Sequence, residues 1–417
     1  MSEDVADTAP GSPADVAGER TSRAQWSTVA VLTASTFVVV TAEMLPVGVL
    51  TPMAAGLGIT SGAAGTSLTV TGLVAAVTAP VVPRLLGDAD RRHVLAVAML
   101  ALVVGNVLTA LADGFATLIG ARVVLGVGMG TVWGLAAAVA TRLVAPRDVA
   151  LAVSFTVSGV AGASVLGVPL GTFVGNAFGW RTAFGVLAGA GLVLALALLL
   201  VLPRLEPQAS AVDAPTVARA SLLRPGVVTG LVVVVLLVTA HFAAYTYVRP
   251  VLEDLPAFSG DTIALLLLVY GAFGLAGNFA AGALAARRAR GTVVALAAGI
   301  AASVALLAGA GGVGWVAVVA VSLWGVAYGG LSVAAQLWMT QAAPDRTEHV
   351  TGLYVGVFTA AIALGAFVGG IGVEAFGVVA LLSAAAVVAA LALVVAALGP
   401  GAARPPQARS SPSSTSR

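Results

Sequence analysis

Residues Ser27–Leu50 read STVAVLTASTFVVVTAEMLPVGVL, an apolar run in which Glu43 is the one charged side chain. As a helix, this run would rise about 36 Å at about 1.5 Å per residue. That length exceeds the roughly 30 Å hydrocarbon core of a bilayer. The stretch therefore predicts a transmembrane helix, and similar runs recur along the chain.

The overall composition indicates that lipid is the main solvent of this protein. Charged residues make up 9 % of 417 positions, hydrophobic residues make up 59 %, and the mean hydropathy is +1.05. Soluble domains carry about 25 % charged residues, since a surface in water needs charge. The chain contains no cysteine, which excludes disulfides and cysteine-ligated metals. We expect no metal, no cofactor and no catalytic residues, and the dispersed arginines do not indicate nucleic-acid binding.

Twelve segments are long and apolar enough to cross a bilayer. The predicted spans are Ser27–Leu50, Gly65–Val82, Val94–Leu111, Ala116–Ala140, Ala150–Val174, Thr182–Leu202, Val227–Val248, Thr262–Leu284, Thr292–Ala310, Val313–Met339, Val350–Gly372 and Phe376–Leu398. The expected fold class is an all-α membrane protein with twelve transmembrane helices in two six-helix pseudo-repeats.

One proline-rich break divides the spans into two sets of six. A shift of roughly 200 residues carries the basic loop at Arg91 and Arg92 onto a second basic loop, as parallel repeats would; basic inner loops alone would be the simpler explanation. The predicted organisation is a disordered cytoplasmic N-terminus at 1–25, a six-helix bundle at 26–202, a cytoplasmic linker at 203–226, a second six-helix bundle at 227–398 and a disordered cytoplasmic C-terminus at 399–417.

The distribution of arginine predicts the orientation in the membrane. With the N-terminus in the cytoplasm, the outer loops hold only Arg181 and Arg249, whereas the inner segments hold seventeen arginines. Cytoplasmic loops are enriched in basic residues. Both chain ends are therefore expected in the cytoplasm.

Glu43 stands out because a charge at the bilayer centre costs about 2.5–3.5 kcal/mol on insertion scales. Such a carboxyl group must face protein or a water-filled cavity, or be protonated. Thr36, Val40 and Glu43 share one helix face, which we expect to line a cavity. Two interpretations remain open: Glu43 carries the proton of a coupled transporter, or it forms a structural ion pair with Arg122.

Arg122 begins a stripe that continues with Gly126, Gly130 and Gly134. Glycines at this spacing predict close helix packing, but packing does not explain a permanent charge. The guanidinium group could tune the Glu43 carboxyl group, hold a polar substrate or dock a loop.

Several polar and aromatic residues within the spans are candidates for binding a flat polar ligand through hydrogen bonds and stacking. The substrate-binding candidates are His241, Tyr245, Tyr247, Asn278, Gln336 and Trp133. Each also has a structural interpretation; a neutral histidine bonded to a neighbour, for example, is common inside helices.

The fifth predicted span contains Gly167, Pro169 and Gly171. Proline bends a helix by removing a backbone donor, and glycine permits close approach of a neighbour. We expect this bent segment to act as a seal or pivot between moving bundles. No Walker motif occurs in the chain, so ATP is not expected to drive transport.

Short motifs give the chain a family resemblance over nearly its whole length. They are Thr41–Pro46 (TAEMLP), Leu50–Met53 (LTPM), Asp90–Arg92 (DRR), Gly179–Arg181 (GWR), Arg224–Gly226 (RPG) and Thr246–Pro250 (TYVRP). With these motifs the chain resembles the twelve-helix drug:proton antiporters of the major facilitator superfamily. Within that group it is most similar to bacterial proton-driven purine ribonucleoside efflux pumps.

The resemblance implies roles for particular residues. Arg122 and the glycines after it match the fourth-helix motif associated with proton coupling, and the Gly167–Gly171 segment matches a loosened antiporter motif. The loop after the second span keeps only the basic pair Arg91 and Arg92 of its family motif, which questions the usual interdomain salt-bridge latch.

These observations favour a proton-coupled exporter of small organic solutes. The resemblance implies purine ribonucleosides such as inosine or guanosine as the substrates, and the bacterial cytoplasmic membrane as the location. The exporter would work by alternating access, with protons, substrate and the bilayer as partners, and a monomer would suffice. The alternatives are a multidrug, chloramphenicol or sugar exporter, or an uncoupled facilitator. An enzyme acting on lipids is disfavoured because the three histidines are scattered and neither HExxH nor GxSxG occurs.

Overall fold

The computed structural model describes residues 21–85, 89–205 and 224–399. All regular secondary structure in these ranges is helical. The helices before the central gap are α1 (Arg23–Leu57), α2 (Ser61–Leu85), α3 (Arg91–Ala110), α4 (Phe115–Leu143), α5 (Val149–Gly162), α6 (Val168–Phe178) and α7 (Trp180–Val201). Those after it are α8 (Pro225–Tyr245), α9 (Val248–Asp254), α10 (Gly260–Ala310), α11 (Gly314–Gly329), α12 (Leu331–Ala342) and α13 (Thr347–Leu398).

The described helices are consistent with twelve membrane crossings. Ten stretches are long and apolar enough to span a bilayer, and two of them contain 51 and 49 residues. At about 1.5 Å per residue, each of these two would rise more than 70 Å, over twice a bilayer core. Each has one non-helical residue inside, Arg288 in α10 and Gly377 in α13. Arg288 falls between two predicted spans, and Gly377 falls one residue inside the start of the last one, so each long helix holds two crossings.

Some predicted boundaries differ from the structure. The fifth predicted span is interrupted, since π-helical residues Ala163–Gly167 separate α5 from α6. Pro169 has no N–H to continue an α-helical ladder, which explains an irregularity just before it. α1 begins at Arg23, inside the segment expected to be disordered, because Ser22 and Gln25 form a capping box there. The remaining terminal residues and most of the expected linker lie outside the described residues.

The two ends of the bundle differ in charge. At one end of the bundle α1 begins, and α4 and the first part of α10 terminate. This end carries most of the described arginines, and we call it the Arg-rich end. The opposite end carries Arg181 and Arg249, and we call it the Arg-poor end. Large apolar side chains such as Leu200 (83 % exposed) and Phe279 (71 %) are left uncovered by the protein, as is typical of a chain surrounded by lipid.

Each half of the chain has its own buried core. One core consists mainly of residues from α1–α7 and the other mainly of residues from α8–α13. The residues that belong to the core of the opposite half are Val47, Leu68, Val168, Ala243, Tyr247 and Leu381. The halves therefore meet through a small apolar seam, while the division into two bundles at the predicted boundaries remains a prediction.

The glycine stripe of α4 packs against α2, which confirms close packing at these positions. An added Cβ would lie 2.9 Å from the Thr71 carbonyl oxygen at Gly126 and 2.6 Å from that of Ala75 at Gly130. These distances are too short for a side chain, and the obstacles are backbone atoms that cannot rotate away. The stripe thus fixes how near α4 lies to α2.

We expect Gly130→Ala to lower the thermal unfolding midpoint by several degrees, because the new methyl group forces α4 away from α2. Gly120→Ala is the matched control on the same helix, where an added Cβ meets nothing within 4 Å. Alanine there should leave the midpoint unchanged or raise it slightly. Circular dichroism of the detergent-solubilised protein measures both, and equal midpoints would contradict the packing argument.

Candidate transport site

Two prolines in α1 each deprive one backbone carbonyl of its usual partner. Pro46 and Pro52 lie inside this helix. Because proline has no N–H, Pro46 cannot donate to the carbonyl oxygen of residue 42, and Pro52 cannot donate to that of residue 48. The helix also leaves regular geometry at Val49, with φ −120° and ψ 19°. α1 therefore presents two carbonyl oxygens, of Ala42 and Gly48, to donors from elsewhere.

Arg122 donates to the first of these carbonyls. Its Nη1 atom lies 3.1 Å from the Ala42 oxygen, and its guanidinium carbon lies 5.0 Å from the centre of the Phe184 ring. The side chain is fully buried, and its Nε and Nη2 atoms have no hydrogen-bond partner among the described residues. One edge of the guanidinium group is thus fixed, and two donors remain for another acceptor.

Glu43 adjoins the residue to which Arg122 binds. It is 6 % exposed, and its carboxyl group is within electrostatic range of the Arg122 guanidinium group. The two do not form an ion pair within 4.0 Å, since the pairs found between described residues are Asp90–His93, Arg147–Asp148 and Arg249–Glu253. The structural ion pair considered from the sequence is therefore not formed here.

The remainder of the polar face of α1 packs rather than lining open space. The Thr36 hydroxyl donates to the Thr156 carbonyl oxygen at 2.7 Å, where Gly159 of α5 leaves no room for a side chain. The expectation that the whole face lines a cavity is wrong at Thr36, because its hydroxyl joins two helices of the same half.

The opposite half contributes a cluster of stacked rings. His241 lies between Tyr328, with ring centres 3.4 Å apart and planes 3° apart, and Tyr245, at 5.1 Å and 18°. Trp324 donates from Nε1 to His241 Nδ1 at 3.0 Å, and Tyr270 stacks on Tyr245 at 4.9 Å. The Tyr328 hydroxyl is within electrostatic range of Glu43, so the cluster lies in the neighbourhood of this carboxyl group of the other half.

The structure brings together only some of the predicted substrate-binding residues. His241 and Tyr245 lie in the ring cluster, whereas Tyr247 is fully buried where the halves meet. The Tyr247 hydroxyl donates to the Ala366 carbonyl oxygen at 2.9 Å. The other three predicted substrate-binding residues are Trp133 (44 % exposed), Asn278 and Gln336. None of these three makes a ring contact or a side-chain hydrogen bond with a described residue. No group of three metal-binding side chains occurs in the described ranges.

Arg249 binds the second proline-freed carbonyl, and it does so across the halves. Its Nη1 atom donates to the Gly48 carbonyl oxygen and to Asn176 Oδ1, the latter at 3.0 Å. Its Nε atom donates to Glu253 Oε1 at 2.8 Å. Asn176 also donates to Asp261 at 3.4 Å. We call this network the Arg249 clasp.

A second polar contact joins the halves nearby. The Glu374 carboxylate accepts hydrogen bonds from the Thr60 hydroxyl and, at 3.1 Å, from the Ala63 backbone N–H at the start of α2. A carboxylate is favourable at a helix N-terminus. Within the described ranges, every hydrogen bond between the halves lies at the Arg-poor end or at mid-depth, the deepest being Thr69 to Ala363 at 3.2 Å.

The predicted pivot of the fifth span packs against α1. An added Cβ at Gly167 would lie 2.0 Å from Thr41 Oγ1, and one at Gly171 would lie 2.6 Å from Leu45 Cδ1. Pro169 follows the π-helical stretch between them. On the other side of that stretch lies α10, where an added Cβ at Gly271 would be 2.6 Å from the Ser164 carbonyl oxygen. The segment thus lies between the two halves.

The sequence matches a known family across most of its length. A family model described as the Major Facilitator Superfamily matches residues 32–366. The chain belongs to this superfamily. It is accordingly a multi-pass membrane transporter of small molecules and not an enzyme.

Similar proteins support this assignment. Purine ribonucleoside efflux pump NepI of Salmonella paratyphi B is 32 % identical over 361 residues, which are 87 % of this chain and 90 % of that protein. The protein of the same name from Salmonella typhimurium is 31 % identical over 361 residues, with the same 87 % and 90 % coverage.

Two solved structures show the same fold. A crystal structure of nucleoside transporter NupG aligns with a TM-score of 0.73 at 12 % identity, covering 89 % of this chain and 98 % of that one. A bacterial homologue of the human lysosomal transporter Spinster, in an inward-facing and occupied conformation, gives 0.72 at 16 % identity and covers 90 % and 97 %. At such identities the likeness concerns the fold alone.

Sequence reasoning did not single out three residues of this transporter's site region. Tyr270 and Tyr328 join the ring cluster and Glu374 joins the halves. All five tyrosines of the chain fall inside predicted spans, so no local signal separated these two. Arg91 and Arg92, the predicted loop motif, follow Asp90, whose carboxylate accepts from the Arg92 backbone N–H at 3.0 Å and caps α3.

The Arg249 clasp should depend on Pro52. We expect Arg249→Met to lower the thermal unfolding midpoint, because the Gly48 carbonyl oxygen loses its donor. In a Pro52→Ala background the new backbone N–H can bond that oxygen, so the same substitution should lower the midpoint by much less.

The four proteins of this double-mutant cycle are compared by thermal unfolding in detergent. The Glu253 contact is present in both backgrounds and therefore cancels. An identical effect of Arg249→Met in the two backgrounds would show that Pro52 does not create the acceptor.

Proposed function

We propose that this superfamily member is a proton-coupled antiporter that exports small organic solutes, first of all purine ribonucleosides such as inosine or guanosine. It lies in the bacterial cytoplasmic membrane, with the Arg-rich end and both chain ends in the cytoplasm. It works as a monomer by alternating access, with its two six-helix bundles rocking about a central site.

The observation that carries proton coupling is the placement of Glu43. Its carboxyl group is buried within a membrane span, is not ion-paired, and lies within electrostatic range of Arg122 and of Tyr328 in the other half. Charge on such a group is costly in the membrane, and protonation removes the cost. A carboxyl group at the junction of two moving halves couples their arrangement to its protonation.

Arg122 supplies the opposing charge. With one nitrogen fixed on the Ala42 carbonyl oxygen, its other donors can hold the Glu43 carboxylate or an acceptor of the substrate. Competition between proton and substrate for this pair would link their gradients, because the favourable entry of one releases the other.

The contacts between the halves support the direction of opening. They close the Arg-poor end through the Arg249 clasp and Glu374. In the proposed orientation this arrangement admits substrate from the cytoplasm, and the clasp must open before substrate leaves. The predicted pivot residues Gly167, Pro169 and Gly171 lie where such rocking would bend the bundle.

The name of the similar Salmonella proteins supports the choice of substrate. The stacked rings opposite Glu43 suit a flat base. A multidrug, chloramphenicol or sugar exporter, or a facilitator without ion coupling, is the alternative to be tested.

Glu43→Gln should abolish nucleoside transport driven by a pH gradient while nucleoside binding persists. Glutamine keeps the size and the hydrogen-bonding oxygen of the side chain but cannot exchange a proton. Uptake of labelled inosine into proteoliposomes with an imposed pH gradient measures transport, and equilibrium binding in detergent measures affinity.

The matched control is Asp113→Asn, at an exposed carboxylate in the loop before α4, which should transport like the wild type. Transport by Glu43→Gln that still follows the pH gradient would refute the proton-carrier role. Wild-type flux that is unchanged when the gradient is collapsed would indicate an uncoupled facilitator.

Expression in a pump-deficient host should raise resistance to purine nucleoside analogues, because an exporter lowers their concentration in the cell. Growth-inhibition assays with nucleoside analogues, chloramphenicol and toxic sugars, with and without the gene, measure this. Resistance to chloramphenicol or sugars alone would replace the nucleoside proposal with the corresponding alternative.

A further inference from the structure

We infer that Tyr328 is the ring on which the flat aromatic part of the substrate stacks. This inference rests on the proposed function for the identity of the substrate. It concerns a residue that neither the sequence pattern nor the family motifs singled out.

The Tyr328 ring is supported on one face by a stack of other rings. It lies parallel to His241, 3.4 Å away, and His241 in turn stacks on Tyr245. Trp324 fixes the orientation of the histidine through the hydrogen bond from Nε1 to Nδ1. One face of the Tyr328 ring is therefore covered by a supported stack. Phe242 meets the ring at 5.9 Å and nearly perpendicular, and no second ring stacks on Tyr328 among the described residues, so we place the substrate ring on the opposite face.

The backbone that carries Tyr328 is also fixed. Gly325 and Gly329 of α11 flank it, one on each side along the helix. An added Cβ at these glycines would lie 2.4 Å from the Tyr270 carbonyl oxygen and 2.0 Å from that of Gly274. α11 therefore packs closely on α10, and Tyr328 has little freedom to move away from a ligand.

Tyr328 differs from its neighbours in exposure and position. His241 and Trp324 are buried at 0 % and 1 %, whereas Tyr328 retains partial exposure. Its hydroxyl is within electrostatic range of Glu43, and Met44, next to Glu43, packs against the same C-terminal core. A ligand on Tyr328 would thus lie within reach of the proposed proton carrier.

The histidine beneath the stack adds a defined donor. Trp324 can only donate, so Nδ1 of His241 accepts and the neutral ring carries its proton on Nε2. Nε2 has no partner among the described residues, and neither does the Tyr270 hydroxyl. Buried donors without partners are costly, and an acceptor on a bound heterocycle would satisfy one of them.

Stacking on a rigid ring selects for the ligand class. Every flat heterocycle offers a π-face, whereas a sugar offers none. Tyr328→Met, which removes the ring but keeps a long apolar side chain, should weaken binding of inosine about tenfold, equivalent to about 1.4 kcal/mol. Tyr328→Phe should bind inosine nearly as the wild type does, because the stacking surface remains.

Equilibrium binding to the full chain in nanodiscs, with inosine, chloramphenicol and a toxic sugar as probes, tests the inference. Phe279→Leu is the matched control, because this ring is 71 % exposed and takes no part in the ring cluster. Tenfold loss in Tyr328→Met for flat ligands, with none in Phe279→Leu, supports the stacking role. Equal affinity of the Phe and Met variants would overturn it.

A second measurement does not depend on the folding of any variant. An azido-purine nucleoside is photolysed on the wild-type protein, and the labelled peptides are mapped by mass spectrometry. Label on the α11 peptide that contains Tyr328 is expected, and label confined to other helices would overturn the inference.

The two proposals can fail separately. Wild-type binding of chloramphenicol but not inosine would refute the purine substrate, while the Tyr328 variants would still test stacking with chloramphenicol. Binding of the sugar alone would refute the stacking role. Normal stacking behaviour with transport that ignores the pH gradient would refute proton coupling alone.

Discussion

The two carbonyl oxygens that prolines free in α1 determine how the rest of the transporter is arranged around this helix. One binds Arg122 from the same half and the other binds Arg249 from the opposite half. An unpaired backbone carbonyl at membrane depth is costly, so each demands a donor. Because both donors are arginines, the helix that carries Glu43 also binds two buried guanidinium groups.

The membrane accounts for what the sequence could and could not predict. Spans and the costly charges Glu43 and Arg122 are properties of single segments, so composition and hydropathy reveal them. The stack of Tyr328 on His241 joins residues 87 positions apart in the sequence, and no local pattern records it. The break at Gly377, with φ 78°, lies one residue inside the last predicted span, at a position where glycine tolerates a positive φ.

The same physics explains where prediction of the site was incomplete. Tyr247 was a substrate-binding candidate, but glycines of both halves surround it, and an added Cβ at Gly65 would lie 2.1 Å from its hydroxyl. It serves the closure of the halves in this arrangement. Thr36, expected beside a cavity, bonds to α5 instead. A polar side chain inside a span can therefore line a cavity or bond to a neighbouring helix, and only its tertiary neighbours distinguish the two roles.

The contact between Arg249 and Gly48 has a consequence for how such transporters are compared. Its acceptor is a main-chain atom, so no replacement of the side chain at position 48 reports on the bond. The residue that makes the oxygen available lies one helical turn later, at Pro52. Correlated substitution among relatives, which registers changes of side chain, would pair position 249 with position 52. A contact map inferred from such correlations would place this closure one turn away from the atoms that form it.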